Sequence, residues 1–426
     1  MIRSSCHPTN VANTKKRESL SAFIAEYRKI SQIIVDYVWA NGLEKFHPSK
    51  DQLDLPKYLD YNNLQKLIGF ETNLSARALS SLATQVAGVL SASTEKRRKC
   101  LWMKEKLLKE GGPTKLLDKK LNKNWKLVKP NCQNIKPELS SKCANLKKAA
   151  GRFEYFLQLG SLGTSYGKIR IPILGNKVSK KWLERGGTIL GSFLIGENTV
   201  NLRFEIKQGN PIKKDGIVVG CDQGLKTVAT FSDGQKTQDE DCHGHSLYSV
   251  VAKMSRKRMG SKAFKKAQDH RKNFINASLN KINFRNFSEI RMEKIWNIGY
   301  KKRTSRLMSG WTNTLIRDKV KRLAEEAEVP LILQDSTYKS QKCSNPKCGL
   351  VRKANRKGKL YHCKNCGLEI DADLNASLNH SQNLQPIDFR LRGKGLNKGG
   401  GFFWKSEGLF NLDGSELRVP DSDKKE

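Results

Sequence analysis

Three acidic residues in the C-terminal half of the chain stand where carboxylates do chemistry. Asp222 ends the apolar run Gly-Ile-Val-Val-Gly-Cys-Asp-Gln-Gly (216–224), Glu293 ends Ile-Arg-Met-Glu (290–293), and Asp373 opens Asp-Leu-Asn-Ala-Ser (373–377). Carboxylates at neighbouring strand ends repel one another unless a cation neutralises them, so their convergence calls for Mg²⁺ or Mn²⁺. A trio of this kind can hold two such ions ~3.5–4 Å apart, the arrangement used for in-line cleavage of a phosphodiester. Singly, each acid has a plainer reading. Asp222 could cap a turn, Glu293 could be a solvated strand end, and Asp373 could be the N-cap of its helix, accepting backbone N–H groups. Asp371 is a rival for the third position.

Four cysteines between the second and third acids carry a different chemistry. Cys343 and Cys348 bracket Ser-Asn-Pro-Lys, Cys363 and Cys366 bracket Lys-Asn, and Gly349 and Gly367 follow the two pairs. Two thiolate pairs on tight turns offer four soft ligands to a tetrahedral Zn²⁺ and leave no open position, so the zinc is expected to be structural. Its expected task is to brace Arg352, Lys353, Arg356 and Lys357 beside the acids. The other six cysteines are scattered, which argues for a reducing compartment and against a disulfide framework.

The elements that must position these residues follow from periodicity. After the Gly209-Asn210-Pro211 break, Ile217–Cys221 and Thr227–Phe231 read as strands, the second closed by the hairpin signal Asp233-Gly234. A basic helical region over 252–283, the strand ending at Glu293, a helix over 309–328 and a strand over 330–334 follow. Strand–helix alternation after an initial hairpin suits a mixed sheet flanked by helices, with Asp222 and Glu293 side by side in it. Upstream, Phe153–Leu159, Lys168–Ile173, Thr188–Ile195 and Thr199–Ile206 read as short strands of a small β-barrel or sandwich, with Pro172 at an edge. Residues 111–150 read as a basic linker. Leu20 to Val38 and Leu79 to Leu90 carry helical apolar stripes, giving a helical N-terminal lobe with one packed and one positive face. The tail with Gly399 to Gly401 and Phe402-Phe403-Trp404 reads as mobile.

Charge narrows the partner. Lys and Arg number 79 against 41 Asp and Glu, a formal net charge of +38 that must face a polyanion or repel itself. The basic residues run through the whole chain instead of clustering beside one apolar segment, which favours nucleic acid over an anionic membrane. No run approaches the ~18 apolar residues of a spanning helix. The first residues have no apolar signal core, so an intracellular, nucleoid-associated (cytoplasmic) protein with no membrane partner is expected.

Gly220-Cys-Asp222-Gln-Gly224 with Ser232-Asp-Gly234, Met292-Glu293, Thr337-Tyr-Lys-Ser-Gln-Lys-Cys343, the four-cysteine knuckle and Asp373-Leu-Asn-Ala-Ser377-Leu-Asn379 together resemble the TnpB nucleases of insertion sequences and their relatives, the compact type V CRISPR effectors. The resemblance is specific over residues 212–380. It implies a RuvC-type nuclease of RNase H-like fold, with Asp222, Glu293 and Asp373 as catalytic, metal-binding acids. Asp373 matches the third motif better than Asp371, because Asn-Ala begins two residues after it. Lys294, where the family more often has Asp or Asn, and Ser336, where it often has Pro, depart from the pattern. The family's first N-terminal strand is hard to find here.

The expected layout is an α+β multidomain chain. It comprises a helical recognition lobe (1–110), a basic linker (111–150), a β-barrel-like wedge domain (151–210) that grips guide RNA and target duplex, and a RuvC-like nuclease domain (211–340 and 371–385). A zinc ribbon (341–370) is inserted in the nuclease, and a flexible tail (386–426) ends the chain. The expected function is RNA-guided cleavage of double-stranded DNA, with one copy or a homodimer acting on each guide RNA. A guided binder or repressor with a silent nuclease, a transposase and a zinc-ribbon RNA-binding protein are the alternatives.

Overall fold

The computed structural model describes residues 1–42, 65–66, 68–122, 129–149, 151–207, 215–295, 305–310, 313–388, 391 and 395–417, in two units, Met1–Lys207 and Gln208–Glu426.

In the N-terminal unit, strand β1 (Ile2–Pro8) is followed by the long helices α1 (Thr14–Gly42) and α2 (Ala76–Lys109) and the short α3 (Lys115–Asn122). Leu20, Phe23, Ile24, Tyr27, Ile30 and Ile34 recur at helical spacing along α1 and are all buried, as are Leu79, Leu82, Val86 and Leu90 along α2. Ser75 starts α2, its hydroxyl accepting the Ala78 N–H at 3.1 Å. The rest of the unit is β2 (Glu138–Leu139), β3 (Ala144–Lys148), β4 (Tyr155–Leu159), β5 (Ile169–Ile173), α4 (Lys177–Glu184), β6 (Thr188–Ile189), β7 (Phe193–Ile195) and β8 (Thr199–Glu205). Both helices and the inner strand faces share one core.

These strands form two open sheets, one ordered β1-β8-β7-β2 with β6 also on β8, the other β3-β4-β5. Among the described residues no barrel closes, contrary to the expectation for 151–210. The run 188–195 breaks into two short strands, and Pro172 lies in β5, where its missing N–H helps to make that strand a sheet edge. Residues 115–122 and 138–148 of the expected linker contribute a helix and two strands. The N-terminal strand pairs with β8 along its whole length. Its inward positions are polar: Ser5 and His7 are buried, His7 Nδ1 bonds the Leu174 carbonyl at 2.8 Å, and Nε2 lies 2.6 Å from the Ser5 hydroxyl.

The C-terminal unit opens with the hairpin β9 (Ile217–Gln223) and β10 (Ala229–Phe231), then α5 (Leu247–Ser255), α6 (Lys262–Leu279), β11 (Phe287–Glu293), α7 (Arg306–Gly310), α8 (Asn313–Glu326) and β12 (Leu331–Gln334). The sheet order is β10-β9-β11-β12, antiparallel within the hairpin and parallel from β9 through β12. Val219, Ile290 and Met292 are buried with helix residues such as Ile275, Leu279, Ile316 and Val320, as covered parallel strands require. The basic helical stretch expected as one piece is two helices, separated at Gly260 (φ +81°).

Short strands follow: β13 (Leu350–Val351), β14 (Arg356–Lys357), β15 (Leu360–His362) and β16 (Glu369–Asp371), leading into α9 (Ala372–Ser381). The segment expected as a mobile tail contains a hairpin, β17 (Phe402–Lys405) with β18 (Gly408–Phe410), laid against β13. Phe402 and Trp404 are buried with Val351, Ile387 and Leu391, and that burial orders the hairpin. No helix among the described residues is long and apolar enough to cross a membrane.

Candidate active site and four-cysteine cluster

Strand register brings the first two acids together. β9 and β11 run parallel with Met292 opposite Cys221, so Asp222 and Glu293 are the next residues along two adjacent strands. Glu293 also accepts the backbone N–H of Gln223. Helix α9 crosses directly over β9, so closely that a Cβ on Gly220 would lie 1.9 Å from the Ser377 carbonyl oxygen and 2.6 Å from the Ser381 nitrogen. Only a glycine permits this approach.

Helix α9 is itself clamped from behind. Asn375 and Asn379, one turn apart and fully buried, donate to the Lys342 carbonyl at 2.8 and 2.7 Å, and Asn379 also donates to that of Lys339 at 2.9 Å. The Asn375 side-chain oxygen accepts the Ser344 N–H at 3.0 Å. These bonds explain the Asn residues of the 373–379 motif as the joint between α9 and the segment carrying Cys343.

The N-cap of α9 is Asp371, whose Oδ1 accepts the N–H groups of Asp373 (2.9 Å) and Leu374 (3.0 Å). Asp373, free of that duty, accepts a 3.0 Å bond from Arg356 Nη2. Oxygens of Asp222 and Glu293 and a ring nitrogen of His380 all lie within 4.8 Å of one another. Asp373 is not part of that tighter cluster, although its charge reaches Asp222.

Burial first, and then the charges of Glu293 and Asp373, push Asp222 well above the ordinary carboxylate range, with Arg356 opposing. Burial likewise raises Glu293 to about 7, against the Gln223 N–H and Arg356. His380 is buried and held neutral, its pKa lowered to about 3 by burial and then by the Lys339 charge, and its Nδ1 has no hydrogen-bond partner. A pair of carboxylates beside a neutral imidazole with an orphaned nitrogen fits a divalent cation. His380 was not anticipated from sequence. Its signal was the seven-residue spacing from Asp373, two helical turns that put both on one side of α9.

The cysteines converge as well. Cys343 and Cys366 sulfurs are 3.6 Å apart, those of Cys348 and Cys363 are 3.7 Å apart, and all four lie within 4.8 Å of one another. A tetrahedral ion with ~2.3 Å metal–sulfur bonds has sulfur–sulfur edges of roughly 3.8 Å, so the donor set fits Zn²⁺. Gly349 (φ +62°) and Gly367 (φ +72°) supply the left-handed turns, and a Cβ at Gly349 would meet the Trp404 carbonyl oxygen at 2.4 Å. Asn365 donates to the Cys348 sulfur at 3.3 Å. The Lys342 ammonium is buried beside the cluster, bonded to the Cys343 carbonyl, Asn379 and Gln382, and burial lowers its pKa to about 8.

Residues 315–380 match the family model described as Cas12f1-like, TNB domain. Over 91 residues the chain is 38% identical to the CRISPR-associated endodeoxyribonuclease Cas12f1 of Sulfoacidibacillus thermotolerans, an alignment covering 21% of each protein. Among solved structures it resembles the mini-RNA-guided endonuclease CRISPR-Cas_phi3 (TM-score 0.53, 9% identity, 91% of this chain and 93% of that one). It also resembles CasPhi-2 (Cas12j) bound to crRNA (TM-score 0.52, 10% identity, 91% and 99%). The family model and the curated relative each match a small part of the chain, whereas the two solved structures match most of it in fold. Its α+β fold is theirs, while the sequence match to the curated relative spans only about a fifth of that protein's length.

The Cas12f1-like domain contains all four cysteines together with Arg356, Asp373 and His380. Asp222 and Glu293 lie outside it, on β9 and β11. The site is therefore composite: a sheet supplies two acids, and the helix that ends the cysteine-bearing domain supplies the rest.

Proposed function

We propose that this protein is an RNA-guided DNA endonuclease that hydrolyses phosphodiesters in a RuvC-like, RNase H-like site. Asp222, Glu293 and Asp373 are its catalytic acids. The observation that carries the reading is the side-by-side exit of Asp222 and Glu293 from parallel strands, under a helix that delivers Asp373 and His380. Burial, with repulsion from neighbouring acids at Asp222, makes Asp222 and Glu293 costly as bare anions, which favours a bound cation. When bound, a pair of Mg²⁺ or Mn²⁺ ions supplies the charge that activates a water and steadies the leaving oxygen.

The chain's own groups do the rest. Asp222 and Glu293 fix the position of the charge, and neutral His380 adds a nitrogen donor from the buried side. Asp371 caps α9 and so aims Asp373, and Arg356 holds Asp373 until an ion competes for it. The four cysteines hold a structural Zn²⁺ that keeps the Arg356 strand in place beside α9.

In this reading residues 1–110 serve as a recognition lobe, 151–210 as a wedge, 211–340 with 371–385 as the nuclease, and 341–370 as the zinc-bearing insert. Guide RNA and target double-stranded DNA are the partners. The net charge of +38 suits a protein that must grip a structured RNA and a heteroduplex through phosphates. The relatives' names support the class: one is an endodeoxyribonuclease, one an RNA-guided endonuclease.

The decisive experiment incubates the purified protein, loaded with its co-purifying RNA, with matched DNA and Mg²⁺. Cleavage that requires both RNA match and metal is expected. Matched DNA that is bound but left intact by the wild-type protein would identify a silent binder instead. Strand-transfer products that need no RNA would identify a transposase.

A further inference from the structure

Three of the chain's seven histidines, His243, His245 and His270, crowd one spot that plays no part in the site above. His243 and His245 belong to the turn after β10, within Asp239-Glu240-Asp241-Cys242-His243-Gly244-His245, and His270 lies on α6. Three successive acids are unusual in a chain so basic, and a carboxylate among imidazoles is a donor set of its own.

We infer that Asp241, His245 and His270 form a second zinc site, tying the turn after β10 to helix α6. One carboxylate oxygen of Asp241 lies 2.9 Å from His270 Nε2, and the other lies 3.5 Å from His245 Nδ1. All three ligand atoms lie within 4.8 Å of one another. A tetrahedral zinc with ~2.0–2.1 Å bonds to nitrogen and oxygen needs edges of roughly 3.3–3.4 Å, so small side-chain rotations complete the shell.

Three further features point to an ion and not to a hydrogen-bonded turn alone. His245 Nδ1 is shielded from solvent and has no hydrogen-bond partner. The rings of His245 and His270 stand 5.3 Å apart and nearly perpendicular, at 79°, so both can present a nitrogen to one centre. Asp241 is held ready: its Oδ1 accepts the backbone N–H groups of His243 and His245, both at 2.9 Å, and its own N–H donates to the His245 carbonyl. Gly244 (φ +72°) makes that tight return possible.

Binding asks little of the protein. His270 Nε2 and an Asp241 oxygen already face each other at 2.9 Å, and the ion takes the place of the hydrogen bond between them. All three ligands are partly exposed, so a water can take the fourth position. The ion would lock a surface turn onto the helix, a structural task independent of the acids on β9 and β11.

The test uses metal-depleted full-length protein titrated with Zn²⁺, comparing wild type with His270→Gln and Asp241→Asn. Wild type is expected to take up one more equivalent than either variant, and residual binding at this site should weaken by at least about 100-fold, beyond the ~10–100-fold typical of losing an outer-shell partner. Co²⁺ separates the two sites in one sample, since only the cysteine cluster gives sulfur-to-cobalt charge transfer. Equal zinc uptake by all three proteins overturns the assignment. The unmodified chain provides a check that does not depend on variant folding: the ring nitrogen signals of His245 and His270 should move when zinc is added. Signals that stay in place overturn the site as well.

Discussion

Arg356 and Asp373 are joined by a 3.0 Å ion pair that links β14, next to the cysteine cluster, to the first turn of α9. The same guanidinium opposes the upward push on both Asp222 and Glu293, so one arginine partly neutralises the whole acid group. The proposed cation site thus already includes a positive side chain.

That pairing has a measurable consequence. An ion entering the site must compete with Arg356 for Asp373, and a partly exposed pair of this kind contributes about 0.5–1 kcal/mol. Arg356→Gln should therefore lower the Mg²⁺ concentration that half-saturates cleavage by roughly 2–5-fold. Cleavage at matched guide and DNA, followed across a Mg²⁺ series, reads this directly. A half-saturation point that is unchanged or higher would mean that Arg356 does not compete for the acid.

Replacing the most strained acid should separate activity from stability. Asp222 is raised by burial and by three neighbouring carboxylates, so its charge costs stability when no metal is bound. Asp222→Asn is expected to abolish cleavage, by about 10³-fold or more, while raising the unfolding temperature of the metal-free protein at neutral pH. Guided DNA binding should remain, because no phosphate contact is removed. A variant that is both inactive and less stable would indicate that Asp222 is a structural cap.

The pH dependence follows from Glu293. Its folded pKa of about 7 lies above the ordinary 4.5, so between those values the folded chain keeps a proton that the unfolded chain has released. Stability of the metal-free protein should then fall as pH rises through that window. Mg²⁺ displaces the proton and reverses the trend, so the shift in unfolding temperature caused by Mg²⁺ should be larger near pH ~8 than near pH ~6. Thermal scans with and without Mg²⁺ at the two pH values decide it, and an equal shift at both would count against Glu293 as a ligand.

What could be read from the sequence, and what could not, divides along physical lines. Asp222 was visible because it ends the apolar run Ile217–Cys221, and Glu293 because it closes a strand marked by the buried residues Phe287, Ile290 and Met292. The N-terminal strand was hidden because its buried positions are Ser5 and His7, which satisfy each other and the Leu174 carbonyl, so no hydrophobic alternation marks it. Barrel closure was misjudged because local alternation reveals strands but not their distant partners, and β8 takes its long partner from the N-terminus of the chain. Asp373 could be read as the helix N-cap or as the third acid, with Asp371 its rival for the latter, and the hydrogen bonds give the cap to Asp371. His380 went unnoticed because a single histidine in a helix is usually a packed one. Only the approach of α9 to β9 gives it carboxylate neighbours.

The cysteine cluster should matter to the acids through the backbone. β16 ends at Asp371, the N-cap of α9, and the Ala372 N–H donates to the Lys359 carbonyl at 2.7 Å. Cys363→Ser is therefore expected to release one zinc and to raise amide exchange across 343–371. It should also reduce cleavage at least about tenfold although no acid is altered, comparable to the loss of an outer-shell partner. Metal analysis and hydrogen exchange on the same sample check the chain of cause. Unchanged zinc content would remove the cluster's assigned role.

The close crossing of α9 over β9 yields the sharpest steric test. At Gly220 even one methyl group would press 1.9 Å from the Ser377 carbonyl oxygen, and that oxygen belongs to helix backbone that cannot swing aside. Gly220→Ala must push α9 off the sheet, with an overpacking cost of about 1–3 kcal/mol. Because Asp373 and His380 ride on that helix while Asp222 stays on the strand, the displacement should open the site more than it unfolds the protein. Chemical denaturation should show the modest loss of stability, and single-turnover cleavage should fall by far more than incomplete folding explains. A variant that keeps wild-type cleavage would show that α9 need not touch β9 for the acids to work together.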